Sequence, residues 1–407
     1  MIRYQTMRSR TATVRGAVPT IAREEVRLQA LKRRWLVAVA ALVLLAVLTG
    51  CAPGGVTDPG WTVVAATQDH VYTVLPTGLV AALDAETGDV IWQYPPPSER
   101  SGLGQLFSGG SEDQATPLKA VYGIPAVVND LMIVGTYAGK VYAFEADTGL
   151  RRWEIQVSDD AIIGGVTAYE GVLYFGSADN RVMAIDLLTG EPVWPSPVET
   201  GDRVWGRPAV DDDHVYVGSM DHAVYGLDRQ AGTVVWRTDI GGAIPGDVTL
   251  AEGVVIVGCL NKQIHAVDAE TGTELWASPA GAWVWGEAFV TDGVAYVGDL
   301  DGRLHAVSLD DGTPVWDREV LLDGTVRAGP ELYDGSLVVG TEAGTLYLVD
   351  RTSGQAEVLY EREGAILSSP AVVGDRIFVG TDAGEVIALE MTDRGPWELW
   401  VYPPPKE

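Results

Sequence analysis

Positive charge and cysteine are both scarce in this sequence. It has 28 Lys plus Arg against 56 Asp plus Glu, a formal net charge of −28 over 407 residues. Phosphate backbones and anionic lipid would repel such a chain, which argues against a nucleic-acid-binding protein or a peripheral membrane binder. The two cysteines, Cys51 and Cys259, cannot form a disulfide framework.

Phenylalanine and methionine are also rare, with 5 and 6 copies, whereas glycine and proline are abundant, with 48 and 22. The aromatic content comes mainly from 13 Trp and 15 Tyr. This composition favours many short strands joined by tight turns over packed helices. Because 47% of the residues are hydrophobic, intrinsic disorder is not expected for the body of the chain.

The sequence lacks an apolar run of the ~20 residues that a transmembrane helix needs. Its uncharged apolar run from Trp35 to Leu48 has 14 residues, and the basic residues Lys32 to Arg34 come directly before it. This arrangement predicts a signal peptide. The tetrad Leu48-Thr49-Gly50-Cys51 resembles a bacterial lipobox, in which the cysteine sulfur receives the diacylglycerol. An ordinary secretory signal with a coincidental cysteine is the alternative.

These signals divide the chain into segments. We predict a lipoprotein signal peptide over residues 1–51, with translation starting near Val26 because the basic stretch is long, and a flexible tether over residues 52–60. The leader, residues 1–34, holds nine basic and two acidic residues, so residues 52–407 carry 19 basic against 54 acidic residues, a net of −35. Nine tether residues reach ~30 Å at most, which would keep the body close to the membrane.

The body repeats one element eight times, with a small residue, an acid two positions later, a glycine four positions after the acid and a tryptophan four positions after the glycine. The sixth copy has Ser308 in place of the acid, and the eighth, from Ala388 to Trp400, is longer than this pattern. The repeat glycines are residues 88, 149, 190, 232, 272, 312, 354 and 395, separated by 61, 41, 42, 40, 40, 42 and 41 residues. The long gap contains one insertion, from Pro95 to Pro117. The tryptophans are Trp92, Trp153, Trp194, Trp236, Trp276, Trp316 and Trp400, and the seventh repeat has Val358 instead.

Each repeat also contains four β-rich segments. In the fourth repeat these are 207–210, 214–218, 223–227 and 233–237, separated by Asp- and Gly-containing turns. Four antiparallel strands per ~40-residue repeat predict an all-β, eight-bladed β-propeller over residues 61–402, followed by a Pro-rich tail over residues 403–407. The acid and the glycine fit a tight turn, and we expect each repeat tryptophan to lie across the equivalent turn of the next blade.

The repeat resembles the tryptophan-docking repeat of pyrroloquinoline quinone (PQQ) propellers, as Ala82, Asp84, Thr87, Gly88 and Trp92 illustrate. That repeat is found in quinoprotein dehydrogenases, in the BamB lipoproteins of the outer-membrane protein assembly machinery, and in sensor domains. The resemblance covers residues 61–402 and implies the fold, but it leaves the activity open.

Signatures of catalysis are missing from the sequence. The resemblance to quinoprotein dehydrogenases implies PQQ, Ca²⁺ and often a vicinal Cys-Cys pair, but no such pair occurs. The histidines follow repeat positions, His265 and His305 standing where other blades have tyrosine, so we interpret them as packing residues rather than metal ligands. No phosphate-binding loop and no nucleophile motif is present. We therefore predict no catalytic residue, no metal site and no cofactor, with PQQ as the alternative.

The residues at the start of the innermost strands are the candidate binding site. Eightfold geometry should bring each of two aligned series into a ring at one mouth of the central channel, where aromatic and charged residues suit a ligand or partner. The first series is Trp61, Tyr122, Ile163, Trp205, Pro245, Trp285, Arg327 and Leu367. The second is Val63, Ile124, Gly165, Arg207, Asp247, Glu287, Gly329 and Ser369. Large side chains that merely plug the channel are the alternative.

The sequence thus predicts a monomeric, extracytoplasmic propeller anchored by a lipid on Cys51 to the cell membrane or the outer membrane. By its resemblance to BamB, its expected function is that of a non-catalytic scaffold for envelope proteins, with the barrel assembly machinery as the implied partner. Two alternatives remain open, a PQQ-binding protein or oxidoreductase, and a ligand or carbohydrate sensor.

Overall fold

Each repeat forms one four-stranded antiparallel sheet whose strands follow one another in sequence. The computed structural model describes residues 60–97 and 115–404. Within these ranges eight such sheets form an eight-bladed β-propeller without helices, which confirms the predicted fold class. No helix there is long and apolar enough to span a bilayer.

The chain divides into two units, residues 1–57 and 58–407, and all described residues belong to the second. The predicted signal peptide, the lipidation site Cys51 and all of the tether except Gly60 lie outside the described residues. The same holds for most of the insertion, residues 98–114, and for the last three residues of the tail.

The first strands of the blades are the innermost, and most of them contact the first strand of a neighbouring blade. These inner strands are β1 (Val63–Ala66), β5 (Ala126–Val128), β9 (Thr167–Tyr169), β13 (Ala209–Val210), β17 (Thr249–Ala251), β21 (Phe289–Thr291), β25 (Glu331–Tyr333) and β29 (Ala371–Val373). The second strands are β2 (His70–Val74), β6 (Leu131–Gly135), β10 (Val172–Gly176), β14 (His214–Gly218), β18 (Val254–Gly258), β22 (Val294–Gly298), β26 (Ser336–Gly340) and β30 (Arg376–Gly380).

The third and fourth strands complete each blade towards its outer edge. The third strands are β3 (Val80–Asp84), β7 (Lys140–Glu145), β11 (Arg181–Asp186), β15 (Ala223–Asp228), β19 (Gln263–Asp268), β23 (Arg303–Ser308), β27 (Thr345–Asp350) and β31 (Val386–Thr392). The outer strands are β4 (Val90–Tyr94), β8 (Arg151–Gln156), β12 (Val198–Glu199), β16 (Val234–Asp239), β20 (Glu274–Pro279), β24 (Val320–Leu321), β28 (Ala356–Glu361) and β32 (Gly395–Tyr402).

The outer strands of blades 3 and 6 are only two residues long. In both blades a proline, Pro192 or Pro314, stands two residues before the repeat tryptophan and forms an isolated bridge to the third strand. Because proline lacks an N–H, it cannot support a continuous ladder at this point. In these two blades the repeat glycine is separated from that of the next blade by 42 residues, the longest spacing apart from the insertion. The additional residues lie in the interrupted outer strand.

The apolar core consists of eight separate clusters, one in each seam between neighbouring blades. The cluster between blades 1 and 2, for example, contains Tyr72 and Trp92 from blade 1 and Met132 and Phe144 from blade 2. The seam between blades 8 and 1 is built in the same way, from Phe378 and its neighbours against blade 1. Stability is therefore expected to be a sum of similar seams rather than the property of one centre.

Every repeat tryptophan lies on the turn of the following blade. Its indole N–H donates a hydrogen bond to the backbone carbonyl of the residue after the turn acid, or after Ser308 in blade 6. The donor and acceptor pairs are Trp92 and Ala146, Trp153 and Leu187, Trp194 and Arg229, Trp236 and Ala269, Trp276 and Leu309, Trp316 and Arg351, and Trp400 and Ala85. The last pair joins blade 8 to blade 1.

The turn that receives each tryptophan requires its glycine for two reasons. In blade 1, Gly88 has φ of 74°, a conformation that residues with a Cβ rarely adopt. A Cβ on Gly88 would also lie 2.6 Å from the ring of Trp400. Asp84 fixes the turn by accepting hydrogen bonds from the backbone N–H groups of Glu86 and Thr87, at 3.0 and 2.8 Å, and these bonds lower the pKa of its carboxyl group, that from Thr87 most of all.

The seam between blades 7 and 8 is held differently, because blade 7 has no repeat tryptophan. Val358 is 53% exposed, and the bulge in this blade lies two residues earlier on the third strand than in blades 1, 2, 4, 5 and 8. Arg362 instead pairs with Glu385 at 3.0 Å and with Glu398 at 3.7 Å, and Tyr360 donates a hydrogen bond to Glu398. Charged and polar contacts thus replace the indole.

The ring closes by docking, without exchange of a strand between the first and last blades in the described residues. Thr62 donates its hydroxyl to the carbonyl of Thr381 at 2.5 Å, and its own carbonyl accepts from Ser368 at 3.1 Å. Together with Trp400 on the turn of blade 1, these bonds link the two ends of the propeller.

Removing one docked tryptophan should cost far more stability than removing an exposed one. Trp276 is 8% exposed and donates to Leu309 at 2.8 Å, so Trp276→Ala should lower the free energy of unfolding by about 3–5 kcal/mol. Trp397, 66% exposed on β32, is the matched control, and Trp397→Ala should change it by less than about 0.5 kcal/mol. Urea unfolding followed by circular dichroism measures both. Equal losses would contradict the docking role.

Candidate functional site

The channel mouth at the start of the inner strands is a single cavity. All eight residues of the first aligned series line it, as do Ile124, Asp247, Glu287, Gly329 and Ser369 of the second. The cavity volume is about 90 Å³, well below the roughly 300–1,000 Å³ of typical small-molecule sites. The structure thus brings together Trp61, Tyr122, Trp205, Asp247, Trp285, Glu287 and Arg327.

Three residues of the second series do not line the cavity. Val63 is fully buried in the seam between blades 1 and 2, because β1 begins at this residue and turns it into the core. Gly165 has no side chain and adopts φ of 89° against the backbone of blade 2. Arg207 lies beside the cavity and contacts it through its ion pairs.

One side of the mouth is aromatic. The indole N–H of Trp61 donates to the carbonyl of Tyr122 at 2.7 Å, and the two rings meet edge to face with centroids 4.9 Å apart. Tyr137, 42% exposed, lies 5.8 Å from Tyr122 and extends this surface outwards. Rings held in this way present apolar area at a low cost in conformational entropy, as binding surfaces do.

A second pair of rings lies across the mouth. The rings of Trp205 and Trp285 are 6.0 Å apart, and the guanidinium of Arg327 stands 5.0 Å above the ring of Trp285. Arg327 also forms an ion pair with Glu342 at 2.8 Å, so its position is fixed from both sides. The buried indole N–H of Trp205 has no acceptor among the described residues. An unsatisfied buried donor is costly, and a ligand acceptor would relieve that cost.

Behind the rings a charged network crosses the channel between blades 4, 5 and 6. Arg207 donates to Glu287 at 2.6 Å and lies 3.4 Å from Asp247, whose other oxygen accepts the backbone N–H of Arg207 at 2.7 Å. Burial raises the pKa of Asp247 to about 6, although the charge of Arg207 opposes this shift. The attraction of both carboxylates raises the pKa of Arg207 in spite of its burial.

Aligning the eight repeats with one another did not identify a further carboxyl group in the channel, that of Glu331. Glu331 is the first residue of β25 and lies four residues after Arg327. Because alternate side chains of an extended chain face the same side, Glu331 faces the same side as Arg327 but lies deeper in the channel. Burial, and then the charge of Glu287, raise its pKa to about 7. Extending the aligned series by two more residues would have found it.

The charged residues of the channel are confined to one arc of the ring. Arg207, Asp247, Glu287, Arg327 and Glu331 come from blades 4 to 7. The equivalent positions in the other four blades are apolar, small or hydroxylated residues, namely Trp61, Val63, Ala65, Tyr122, Ile124, Ala126, Ile163, Gly165, Thr167, Leu367, Ser369 and Ala371. The eightfold backbone therefore carries a site with a distinct polar side and a distinct apolar side.

The other groups considered for chemistry are engaged in structure. His265 is held between Glu274 and Asn261, at 2.8 and 3.0 Å, and His305 contacts Asp299 at 3.0 Å. Cys259 is fully buried, and burial raises the pKa of its thiol. Across the two described ranges, no group of three or more His, Cys, Asp or Glu residues is arranged to hold a metal ion.

The residues at the mouth do not fit a quinone cofactor with Ca²⁺. The cavity, at about 90 Å³, is too small for a fused-ring quinone. Calcium requires six to eight oxygen ligands, but Asp247 and Glu287 are both already paired with Arg207.

The raised pKa values make stability depend on pH. Because Asp247 and Glu331 hold protons in the folded state that the unfolded chain releases above about pH 4, their contribution to stability falls as pH rises through 6 and 7. Glu331→Gln should therefore stabilise the protein at pH 8 by on the order of 1 kcal/mol and leave it nearly unchanged at pH 4. Thermal unfolding across this range measures the difference, with the exposed Glu357→Gln as control. Parallel profiles for Glu331→Gln and the native chain would contradict it.

Comparison with known proteins places the fold in a family. A family model described as outer membrane protein assembly factor BamB matches residues 32–204, 188–326 and 260–402. Among curated relatives, the BamB of Shewanella oneidensis is 25% identical over 186 residues, 42% of each chain. The BamB of Xanthomonas campestris is 29% identical over 235 residues, 44% of this chain and 54% of the relative. The chain spans about half the length of these relatives.

Other relatives carry enzyme names. A polyvinylalcohol dehydrogenase from Sphingopyxis is 24% identical over 211 residues, 42% of this chain and 32% of the relative. Shared repeats therefore do not separate binding proteins from enzymes.

Solved structures agree with the fold. The crystal structure of BamB from Moraxella catarrhalis superposes with a TM-score of 0.62 at 20% identity, covering 80% of this chain and 92% of that one. The designed protein Ika8 gives 0.67 at 17% identity, covering 84% and 96%. With a family model that spans the whole propeller, the chain belongs to the BamB family of PQQ-repeat β-propellers.

Proposed function

We propose that this chain is a lipid-anchored, non-catalytic scaffold of the cell envelope that binds proteins during outer-membrane protein assembly. The observation that carries the proposal is the match of the BamB family model along the entire propeller, residues 32–402. The chain matches only about half the length of the curated relatives, so the assembly partner is also part of the proposal.

The channel mouth is the proposed docking face. Trp205, Trp285 and Arg327 are residue types that dominate binding energy at protein interfaces, and here they surround one concave surface. They stand in the short segments just before β13, β21 and β25, in blades that are held together by docked tryptophans, so the surface is preorganised and loses little conformational entropy on binding.

The proposed anchor is a lipid on Cys51, joined to the propeller by residues 52–60. It would hold the propeller on the extracytoplasmic side of a membrane, within ~30 Å of the surface. The strong negative charge of the mature chain, with 54 acidic against 19 basic residues, would keep its body from adhering to anionic lipid. Association with the membrane would then depend on the anchor and on the partner, with the propeller itself as a monomer.

A quinoprotein is the second candidate, and it is favoured by relatives such as the polyvinylalcohol dehydrogenase. The small mouth cavity and the pairing of its carboxylates with Arg207 weigh against it. A carbohydrate sensor would use the same aromatic mouth, but no feature of the described residues favours a sugar over a peptide.

Substitution at the mouth should abolish partner capture. We expect photo-cross-linking in native membranes, followed by mass spectrometry, to recover a component of the outer-membrane barrel assembly machinery. Trp205→Ala combined with Arg327→Ala should reduce that yield at least tenfold. The exposed Trp397→Ala should leave it unchanged. Unchanged capture by the folded double variant would remove the mouth from the interface, and reduction of a redox dye by the native chain with PQQ and Ca²⁺ would favour the enzyme instead.

The anchor can be tested separately. Cells fed an alkyne analogue of palmitate should label the native chain but not Cys51→Ser, and the variant should leave the membrane fraction. Cys259→Ser is the matched control and should still be labelled, because Cys259 is buried in the propeller. Labelling of Cys51→Ser, or its absence from the native chain, would contradict lipidation at Cys51.

A further inference from the structure

The channel behind the mouth is short of positive charge. Asp247, Glu287 and Glu331 come close enough to perturb one another, and a single guanidinium, that of Arg207, serves all three. Arg207 is within ion-pairing distance of Asp247 and Glu287 only. When all four groups are ionised, the cluster carries a net charge of −2.

Glu331 is the carboxyl group of this cluster that has no cationic partner. Its side chain is only partly exposed and forms no ion pair with a described residue; the backbone N–H of Leu332 and the charge of Arg207 lower its pKa, but by less than burial and Glu287 raise it. Burying a carboxylate without a partner is costly, and here the group avoids that cost by holding its proton, as its raised pKa of about 7 indicates. A cation brought into the channel would supply the missing partner.

The mouth around this cluster suits a long aliphatic stem. Trp61, Trp205 and Trp285 line a cavity of about 90 Å³, comparable to one extended side chain. Lysine and arginine bury such stems against apolar surface while the charged end finds a polar partner. The unsatisfied N–H of Trp205 adds a donor for a backbone carbonyl beside that side chain.

We infer that the mouth recognises an arginine or lysine side chain of an extended, otherwise apolar polypeptide segment, which inserts towards Asp247, Glu287 and Glu331. The inference rests on the proposed function, because it names the chemistry of the partner at the same face. The net charge of −35 over residues 52–407 would also steer a basic segment towards the propeller. An anionic ligand would instead meet the carboxylates of Asp247 and Glu287, and Arg327, the cationic residue of the lining, is already paired with Glu342.

The test uses the full-length chain in detergent and two capped tripeptides, acetyl-Leu-Arg-Leu-amide and acetyl-Leu-citrulline-Leu-amide. Citrulline keeps the shape of arginine but has no charge, so the difference in affinity between the two peptides measures the contribution of the positive charge. Titration calorimetry at pH 7.5 should give a Kd at least tenfold lower for the arginine peptide. Glu331→Gln should reduce this preference at least threefold. The matched control Asp301→Asn removes an exposed carboxylate of blade 6 outside the mouth and should leave the preference unchanged.

Equal affinity for the two peptides, no heat from the arginine peptide at millimolar concentration, or an unchanged preference in Glu331→Gln would each overturn the inference. Trp205→Phe keeps an aromatic ring but removes the N–H, and it should weaken both peptides equally. A stronger effect on one peptide would contradict the role given to that donor. Failure of the peptides with intact capture of the assembly machinery would sink this inference alone, whereas peptide binding without capture would sink the proposed function.

Discussion

One interaction organises the propeller, the indole ring of each blade resting on the glycine turn of the next. It joins a large apolar contact to a hydrogen bond, as between Trp276 and Leu309 at 2.8 Å, and the turn accepts the ring only because a glycine leaves room for it. The turn acid in turn fixes the backbone that receives the indole. Since seven of the eight seams repeat this arrangement, including the one between blades 8 and 1, the ring can close between Trp400 and Ala85 without exchanging a strand.

The one seam without an indole indicates what the interaction contributes. In blade 7 the bulge lies two residues earlier on the third strand than in the other blades with a full-length outer strand, and Arg362 with its two carboxylate partners takes over the contact. Partly exposed ion pairs of this kind contribute less than a buried aromatic ring. A repeat protein with unequal seams opens preferentially at the weakest one. Here that is the seam between blades 7 and 8, and blade 8 is the blade that closes the ring.

Sequence reasoning predicted the fold because its determinants are local. The spacing of acid, glycine and tryptophan encodes a turn and its cover, so the number of blades could be counted directly, and in the fourth blade the strand limits differ from the observed ones by at most two residues. The ring of residues at the mouth could also be predicted, because the register of the repeats fixes which residues lie at the same level of the channel. The ion pairs within the channel could not be predicted. Neither the reach of Arg207 across two blades nor the isolation of Glu331 follows from spacing, since both depend on side-chain directions in three dimensions.

The same regularity explains how a minimal ring can carry a specific site. Because stability resides in the seams, the inner strands are free to vary at their starts, and the channel needs no symmetry of its own. Blades 4 to 7 use this freedom for charge and the remaining blades for apolar, small or hydroxylated residues. A mouth with one polar and one apolar side can orient an extended polypeptide segment, which a uniform ring could not do. The asymmetry of the channel, and not the symmetry of the blades, is therefore where recognition has to be sought.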